Sequence, residues 1–393
     1  MLFVEDLDVK GKTVFVRVDF NVPLDDRGEI RNDTRIKASL PTINDLLAKG
    51  ARLVLASHLG RPKGKPDPKM SLKPIAARLS ALIGREVAFA PDCVGAEVDR
   101  LKAGLKNGQV LLLENLRFHE GETKNDPQFS KQLASGIDIF VNDAFGSSHR
   151  AHASVVGITG FIAKRAAGTL MKLEVEYLQK AIHSPAKPYV AILGGAKSED
   201  KIPVIENLLN KADSILIGGA MAYTFLKAQG LAVGRSLVET DKLDVALKIL
   251  AKAKDKKVDA LLPVDHVLTT SIESGVVSKT TDAYPFPEDM MGVDIGPKTI
   301  ARYSEIIASA KTIFWNGPLG VFETPAFARG TIKIAEAVAN SGAISIIGGG
   351  DSIAAVAKAG VSQKITHIST GGGASLEYLA YETLPGIEAL GKK

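Results

Sequence analysis

Short apolar segments alternate with amphipathic segments along most of the 393-residue chain. Runs of isoleucine, valine and leucine are typical of buried strands, and apolar residues at intervals of three and four are typical of helices. This alternation predicts an α/β fold in which parallel sheets are flanked by helices. The predicted strands are 14–18, 53–56, 110–113, 137–141, 189–193, 214–217, 260–262, 312–315, 343–347 and 365–369.

One segment near the middle of the chain has the pattern of a long helix. Leu170, Leu173, Tyr177 and Ala181 recur at helical spacing. Because 393 residues exceed one ordinary core, we interpret this segment as a helix that joins two domains. The alternative is a surface helix within one domain. The predicted parts are an N-terminal domain over 1–168, an interdomain helix over 169–184 and a C-terminal domain over 185–374.

The stretch Ile344–Ser352 has the pattern of a strand, a glycine turn and a helix start. Its glycines let the backbone approach a ligand closely, and the free N–H groups of a helix N-terminus favour an anion. Asp351 or Ser352 is the expected N-cap of this helix, and Gly360 is the expected residue at its C-terminal end. A carboxylate beside a phosphate requires an intervening cation, so Asp351 suggests Mg²⁺ bound to a nucleotide. The alternative is an ordinary strand-to-helix connection with an aspartate cap.

Polar and basic residues follow the predicted strands of the first half. The carboxyl ends of parallel strands lie at one edge of a sheet, so we expect these residues to surround a pocket. Guanidinium groups bind phosphate and carboxylate bidentately, while Asp19 and Asn21 are suited to hydroxyl groups. The alternative is that each arginine pairs with a local carboxylate, as Arg17 would with Asp19. The candidate set is Asp19, Asn21, Arg35, His58, Arg61, Arg117 and Arg150.

Glycine pairs follow the predicted strands of the second half. Neither the P-loop pattern nor G-x-G-x-x-G fits them, which argues against a P-loop NTPase or a conventional nicotinamide enzyme. Lys197 and Lys201 are one helical turn apart, so both are expected to project toward a phosphate chain. Glu323 is a candidate acceptor for ribose hydroxyls, or else a solvated loop carboxylate. The glycines are Gly194, Gly195, Gly218, Gly219, Gly349 and Gly350.

Composition narrows the class of protein. With 45% hydrophobic and 24% charged residues, and no apolar run long enough for a bilayer, the chain is typical of a globular protein without a membrane partner. The N-terminal residues lack the pattern of a secretory signal, and Cys93 is the single cysteine. We therefore expect a cytoplasmic location.

In order along the chain, several motifs resemble those of the phosphoglycerate kinase family. The resemblance extends from Val14 to Ala389 and implies two Rossmann-like domains across a cleft, joined by a helix, with a C-terminal tail over 375–393 returning to the first domain. It also implies a monomer in which hinge closure allows direct in-line phosphoryl transfer between 1,3-bisphosphoglycerate and MgADP, giving 3-phosphoglycerate and MgATP. The motifs are Arg17–Pro23, Ser57–Pro62, Glu114–Phe118, His149–His152, Gly194–Lys197, Trp315–Pro318 and Gly348–Ser352.

The resemblance also assigns roles to individual residues. On chemical grounds we choose Arg35, Lys197 and Lys201 as the catalytic residues, and we expect Asp351 to hold Mg²⁺ together with the nucleotide phosphates. The acid substrate would be bound by Asp19, Phe20, Asn21, Arg35, His58, Leu59, Gly60, Arg61, Arg117 and Arg150. The nucleotide, ATP or ADP, would be bound by Gly194, Gly195, Lys197, Lys201, Gly218, Gly219, Gly292, Glu323, Gly349, Gly350, Asp351 and Ser352.

Two other functions agree with parts of this pattern. One is a different kinase that makes an acyl phosphate on the same scaffold. The other is a nonenzymatic binder of RNA or another polyanion, suggested by the net charge of +5 and the arginines. The chain has no basic tract interleaved with aromatics, and only 6% of its residues are aromatic, so we expect no nucleic-acid partner.

Overall fold

The computed structural model describes residues 1–197 and 199–391, and these divide into two compact units. The N-terminal unit comprises Met1–Glu176 and the residues from Thr383 onward. The C-terminal unit comprises Tyr177–Glu382. The last two residues of the predicted tail, 392–393, lie outside the described residues.

A parallel sheet forms the centre of the N-terminal unit. Its strands are β1 (Thr13–Arg17), β2 (Arg52–Ala56), β3 (Val87–Phe89), β4 (Val110–Leu112), β5 (Ile139–Asn142) and β6 (Lys164–Ala167). In the described residues they are arranged in the order β3-β4-β2-β1-β5-β6. Every residue of β1 is buried, because this strand lies inside the sheet and helices cover both sheet faces.

The helices of this unit complete its apolar core. Ile43 and Leu46 from one helix and Ile75 and Leu79 from another pack in one cluster with the valines and leucines of the central strands. The helices before the middle of the chain are α1 (Thr34–Ala38), α2 (Leu40–Ala48), α3 (Lys73–Ile83), α4 (Ala96–Gly104), α5 (Glu120–Thr123) and α6 (Pro127–Leu133).

The C-terminal unit has a second parallel sheet. Its strands are β7 (Tyr189–Leu193), β8 (Ser214–Ile217), β9 (Asp259–Leu261), β13 (Thr312–Asn316), β14 (Ile344–Gly348) and β15 (His367–Ile368). Their order in the described residues is β15-β14-β13-β7-β8-β9. The flanking helices are α8 (Ile202–Leu208), α9 (Met221–Ala228), α10 (Leu243–Asp255), α11 (Pro297–Ser309), α12 (Arg329–Asn340), α13 (Gly350–Lys358) and α14 (Gly373–Tyr381).

A small antiparallel sheet accompanies this second sheet. It consists of β10 (His266–Thr269), β11 (Lys279–Thr281) and β12 (Met291–Ile295), with β10 in the middle. Its apolar cluster includes Leu268 and Phe286. The sequence does not predict these strands, because β11 is polar and polar residues or glycine interrupt the apolar residues of β10 and β12.

Helix α7 spans Thr169–His183, and the division between the units falls inside it, after Glu176. A helix therefore covers all but the last residue of the segment 169–184, and its role in joining two domains stays a prediction. None of the helices in the described residues is long and apolar enough to span a membrane.

The chain returns to the N-terminal unit at Thr383, later than the start of the predicted tail at residue 375. Helix α14 belongs to the C-terminal unit, since the Asn207 side chain donates to the Leu379 carbonyl at 2.5 Å and Lys211 pairs with Glu382. The last helix, α15 (Pro385–Gly391), lies in the N-terminal unit, where the Gly386 N–H donates to the Ser148 carbonyl at 2.8 Å.

Asp143 follows β5 and fixes the start of α7. Its Oδ1 accepts hydrogen bonds from the N–H groups of Leu170, at 3.0 Å, and Met171, at 3.3 Å. Burial raises the pKa of this carboxyl to about 7. The pKa of this carboxyl in the unfolded chain is near 3.8. The protonated Asp143 therefore contributes its full stabilisation below pH 3.8, and this contribution is lost as the pH rises through 7.

We therefore expect Asp143→Asn to gain stability relative to the wild type as the pH rises. Between about pH 5 and pH 7 the difference in free energy of unfolding should change by roughly 2 kcal/mol in favour of the variant, because asparagine does not ionise. Urea denaturation at several pH values measures this difference. Asp26→Asn, at an exposed loop position, is the matched control, and its stability relative to the wild type should not change with pH over this range. Parallel curves for wild type and Asp143→Asn would contradict the expectation.

Candidate active site

The predicted acid-binding residues other than Arg35, which lies on α1, are in segments that follow strands at one edge of the N-terminal sheet. Strands β4, β2, β1 and β5 are consecutive neighbours, and each is followed by one or more of these residues. In the sheet, β2 lies on one side of β1, and β5, which comes later in the chain, lies on the other side of β1. Such a change of direction opens a crevice beyond the carboxyl ends of the strands.

Asp19 links three segments of this edge. Its Oδ2 pairs with Arg35 of α1 at 2.9 Å, and its Oδ1 accepts from the Asn21 N–H at 3.2 Å. Asn21 Oδ1 in turn accepts from the Gly60 N–H at 2.9 Å. These contacts join the loop after β1 to the loop after β2, and they leave the Arg35 side chain 37% exposed.

Arg17, at the end of β1, is fully buried and contacts one of the histidines of this edge. Its Nε donates to Ser154 Oγ at 2.8 Å, and one terminal nitrogen lies 3.1 Å from His58 Nδ1. Ser154 Oγ also donates to the buried carboxylate of Glu122 at 2.7 Å. The alternative ion pair of Arg17 with Asp19 is absent among the described residues, because Arg17 points to Ser154 and Asp19 pairs with Arg35 instead.

Arg117 lies on a 3-10 turn, Leu116–Phe118, after β4. The Asn115 side chain accepts from the Arg117 N–H at 3.0 Å, and one Arg117 terminal nitrogen donates to the Gly60 carbonyl at 2.9 Å. Its Nε is buried and has no hydrogen-bond partner within the part of the chain that the structure describes. Burial, and then the charge of Arg17, lower the pKa of Arg117 to about 10. An unused buried N–H in a positively charged environment fits an anionic ligand.

The nearby histidines are neutral at pH 7. Burial and the charges of surrounding arginines hold the pKa of His58 well below its usual range and lower that of His152 to about 4. The positive charge of this edge therefore comes from arginines. Arg61 and Arg150 are exposed, and neither forms an ion pair within the described residues. We call Arg35, Arg61, Arg117 and Arg150 the arginine cluster.

The second set of predicted residues lies at the corresponding edge of the C-terminal sheet. The glycine turns there are bonded to one another: the Gly194 N–H donates to the Asn316 carbonyl, Gly195 to Pro318 and Gly219 to Leu319, at 2.8 to 3.0 Å. Gly219 has a φ of +65°, and a Cβ there would lie 2.5 Å from the Gly195 nitrogen. A side chain would thus separate the turns that form this surface.

The turn between β14 and α13 differs in one detail from the sequence-based expectation. Neither Asp351 nor Ser352 caps α13; the N-cap is Gly349, with a φ of +92° and no side-chain cap hydrogen bond. Ser352 Oγ instead accepts from the Gly317 N–H at 2.6 Å and so ties α13 to the turn after β13. At the other end of the helix, Gly360 has a φ of +72°, as expected for a residue that ends a helix.

A groove of about 250 Å³ opens at this edge. Five of its lining residues belong to the predicted nucleotide set: Gly195, Gly219, Gly292, Glu323 and Asp351. A Cβ on Gly292 would lie 2.0 Å from the Tyr223 hydroxyl oxygen, so only glycine leaves this wall open. The predicted residues that do not line the groove are Gly194, Lys197, Lys201, Gly218, Gly349, Gly350 and Ser352.

Lys197 and Lys201 differ in their surroundings. Lys197 is exposed and lies before a 3-10 turn, Glu199–Lys201, rather than within a helix. Lys201 is 8% exposed, and its Nζ donates to the Lys197 carbonyl at 3.2 Å. A Cβ on Gly195 would lie 3.5 Å from the Lys201 Nζ, which places this ammonium beside the glycine turn.

Sequence reasoning did not assign several residues that shape the two edges. Asn316 Nδ2 donates to the Gly348 carbonyl at 2.8 Å, and Asn115 Nδ2 donates to the Leu59 carbonyl at 2.7 Å. Both asparagines lie in motifs that carry the family resemblance, and this resemblance was the feature of the sequence that could have identified them. Tyr223 and Asp294 also line the groove, but no local pattern distinguishes them from core residues.

Comparison with known proteins gives the family. The family model for phosphoglycerate kinase matches residues 4–382. A phosphoglycerate kinase of Koribacter versatilis is 58% identical over 100% of this chain and 99% of that protein. The chain belongs to the phosphoglycerate kinase family. A cytosolic phosphoglycerate kinase of Triticum aestivum is 55% identical over 98% of this chain and 96% of its own length.

Solved structures agree with this assignment. The phosphoglycerate kinase of Coxiella burnetii is similar with a TM-score of 0.89 and 42% identity, covering 99% of this chain and 98% of that chain. The enzyme of Pyrococcus horikoshii has a TM-score of 0.88 and 38% identity, covering 100% and 98%. The predictions of the α/β fold, of the family and of a kinase of glycolysis are thus confirmed. The assignments of individual site residues stay predictions.

Proposed function

We propose that the chain transfers a phosphoryl group reversibly between 1,3-bisphosphoglycerate and MgADP, giving 3-phosphoglycerate and MgATP. The observation that carries this proposal is the arginine cluster, in which Arg117 has a buried N–H without a partner and two exposed guanidinium groups form no ion pair among the described residues. 3-Phosphoglycerate carries an anion at each end, and guanidinium groups bind both phosphate and carboxylate.

Asp19 and Asn21 would orient the glycerate hydroxyl beside this cluster. Asp19 is held by Arg35, and Asn21 is held by the Gly60 N–H, so both side chains have fixed positions. The neutral imidazole of His58 offers a hydrogen-bonding group without adding charge. We assign Phe20, Leu59, Gly60 and Arg61 to the wall of the same pocket.

The nucleotide would occupy the groove of the C-terminal unit. Gly195, Gly219 and Gly292 give it a surface without side chains, on which a flat base can lie. Glu323 is exposed at its margin, where a carboxylate can accept hydrogen bonds from ribose hydroxyls. Lys201 beside the glycine turn would bind the phosphates, with Gly194, Gly218, Gly350 and Ser352 holding the turns in place.

The chemistry requires little proton transfer. The accepting carboxylate of 3-phosphoglycerate is ionised near neutral pH, so no general base is needed. The reaction depends on alignment of two anions and on stabilisation of the charge carried by the transferring phosphoryl group. We assign that stabilisation to Arg35 from the N-terminal unit and to Lys197 from the C-terminal unit.

Asp351 fits a magnesium ligand. Its carboxylate is exposed in the first turn of α13, lines the groove and forms no ion pair among the described residues. Mg²⁺ prefers hard oxygen ligands and is commonly held by one or two carboxylates together with substrate phosphates. When bound, it would neutralise charge on those phosphates.

We expect Asp351→Asn to raise the Mg²⁺ concentration needed for half-maximal activity without unfolding the protein, because an amide oxygen is a weaker ligand than a carboxylate. Titration of activity with Mg²⁺, together with circular dichroism, measures both effects. Asp244→Asn, another exposed aspartate in the first turn of a helix, is the matched control. An unchanged Mg²⁺ requirement in a folded, active Asp351→Asn variant would remove this role.

We further propose that hinge bending brings the two bound substrates into contact during turnover, since the residues assigned to them belong to different units. Solution scattering with both substrates bound should show a smaller radius of gyration than with neither. Unchanged dimensions in an active sample would contradict closure. The monomeric state and the cytoplasmic location stay predictions, the first of which sedimentation of the purified protein can test.

A panel of acceptors tests the substrate assignment. In the ATP-consuming direction, we expect ADP to be released with 3-phosphoglycerate as the acceptor. With glycerate the rate of ADP release should be at least about 100-fold lower, because glycerate lacks the phosphate that the arginine cluster would bind. Acetate and other small carboxylic acids serve as further acceptors. Equal rates with glycerate or acetate would favour a different acyl-phosphate kinase on the same scaffold.

A further inference from the structure

Three metal-binding side chains meet on the N-terminal unit, at the end of the loops that follow β3 and β4. One ligand atom each from Asp92, Cys93 and His119 lies within 4.8 Å of the other two. Asp92 Oδ1 is 2.5 Å from His119 Nε2. These residues form a mixed oxygen, sulfur and nitrogen set, which differs from an ordinary surface cluster of carboxylates.

The surrounding structure orients this set. The His119 ring stacks on Phe129 of α6, with ring centroids 5.1 Å apart. The Cys93 N–H donates to Asp92 Oδ1 at 2.6 Å, and the buried Cys93 thiol donates to the Glu114 carbonyl at 3.0 Å. The ring stacking of His119 and the hydrogen bond of the Cys93 N–H would persist with an ion bound. The hydrogen bond of the thiol and the contact between Asp92 and His119 would be replaced by bonds to the ion.

An ion can reach two of the three side chains from solvent, whereas Cys93 is buried behind them. A groove of about 810 Å³ is lined by Asp92 and His119, together with several prolines and Phe118. The side chains of Asp92 and His119 are 50% and 31% exposed, so both can adjust toward an ion. The groove also has room for a water molecule that would complete a four-coordinate site.

We propose that Asp92, Cys93 and His119 bind one divalent cation of the zinc class. In a tetrahedral zinc site with bonds of about 2.0–2.3 Å, ligand atoms lie roughly 3.3–3.8 Å apart. The most distant pair of the set would therefore approach by no more than about 1.5 Å, while Asp92 Oδ1 and His119 Nε2, now 2.5 Å apart, would separate by roughly 1 Å. The thiolate and imidazole donors favour a borderline or soft ion over Mg²⁺ or Ca²⁺.

Binding would exchange a proton for the metal. Without metal the buried Cys93 sulfur carries a proton, which it donates to the Glu114 carbonyl. Coordination forms the metal–sulfur bond and releases that proton to solvent. The ion would then connect the loop after β3 to the segment that carries Arg117 on its 3-10 turn.

The test uses Co²⁺ as a spectroscopic substitute for Zn²⁺. Because Cys93 is the single cysteine of the chain, any thiolate-to-cobalt charge-transfer band reports this site. We expect such a band to saturate at one Co²⁺ per chain, to disappear on addition of one equivalent of Zn²⁺, and to be absent in Cys93→Ser. His119→Gln and Asp92→Asn, at partly exposed positions, should each weaken Co²⁺ binding at least about tenfold.

His183→Gln, on an exposed histidine of α7, is the matched control and should bind Co²⁺ as the wild type does. Absence of a thiolate band in the wild type would overturn the proposal. So would a band that keeps wild-type affinity in both His119→Gln and Asp92→Asn, since the cysteine would then bind metal without the other two residues. The readout contains no enzymatic activity, so its failure leaves the proposed function unaffected.

Discussion

Replacing Arg35 by alanine is expected to lower kcat at least about 100-fold while changing KM much less. A single donor that stabilises charge in a transition state typically contributes about 3 kcal/mol. Arg35 forms one hydrogen bond to Asp19 and is 37% exposed, so it keeps further N–H groups for the transferring phosphoryl group. Steady-state kinetics in both directions measures kcat and KM separately.

Two further variants isolate this role. Arg35→Lys keeps the charge but loses the planar fork of donors, so an intermediate kcat is expected. Arg31→Ala removes an exposed arginine just before α1 and should leave the kinetics unchanged. If Arg35→Ala raises KM and leaves kcat intact, Arg35 binds substrate and transition state equally, which would contradict the assigned role.

Lys197→Ala is expected to lower kcat by a similar factor of about 100 without loss of stability. The Lys197 side chain is exposed. The hydrogen bond from Lys201 goes to the backbone carbonyl of Lys197, which alanine retains. The substitution therefore removes an ammonium group and leaves the local structure in place. Stopped-flow measurement of phosphoryl transfer, combined with thermal denaturation, separates the two effects.

The matched control for this variant is Lys248→Ala, since Lys248 is an exposed lysine of α10 in the same unit. It should transfer phosphate at the wild-type rate. A Lys197→Ala variant with wild-type kcat would assign the stabilisation of the phosphoryl group to Lys201 alone. Loss of folding in Lys197→Ala would contradict the structural account of an exposed side chain.

The central strands could be predicted from the sequence because each is a run of apolar residues. β7 and β8 have the predicted bounds, and the other predicted strands differ from the observed ones by a few residues at their ends. β3 and β6 were missed: β3 has only three residues, and β6 begins with the charged residues Lys164 and Arg165 at a sheet edge. An edge strand has one neighbour, so it needs less apolar surface than a central one.

The chemical character of the two edges was also predictable, whereas their internal contacts were not. Residues that follow parallel strands must meet at one edge, which is why the arginine cluster and the glycine turns could be anticipated. Hydrogen bonds between residues distant in sequence, such as Ser352 with Gly317 or Arg17 with Ser154, leave no local pattern. The expected cap at Ser352 was wrong for this reason, because its hydroxyl binds a different turn.

The most direct test of the account is a coupled assay for ATP formation. Purified protein is mixed with ADP, Mg²⁺ and 1,3-bisphosphoglycerate generated in place, and ATP is measured with the wild type and with Arg35→Ala. We predict ATP formation that requires both substrates and that falls at least about 100-fold in the variant. A folded wild-type protein that forms no ATP under these conditions would contradict the proposed function.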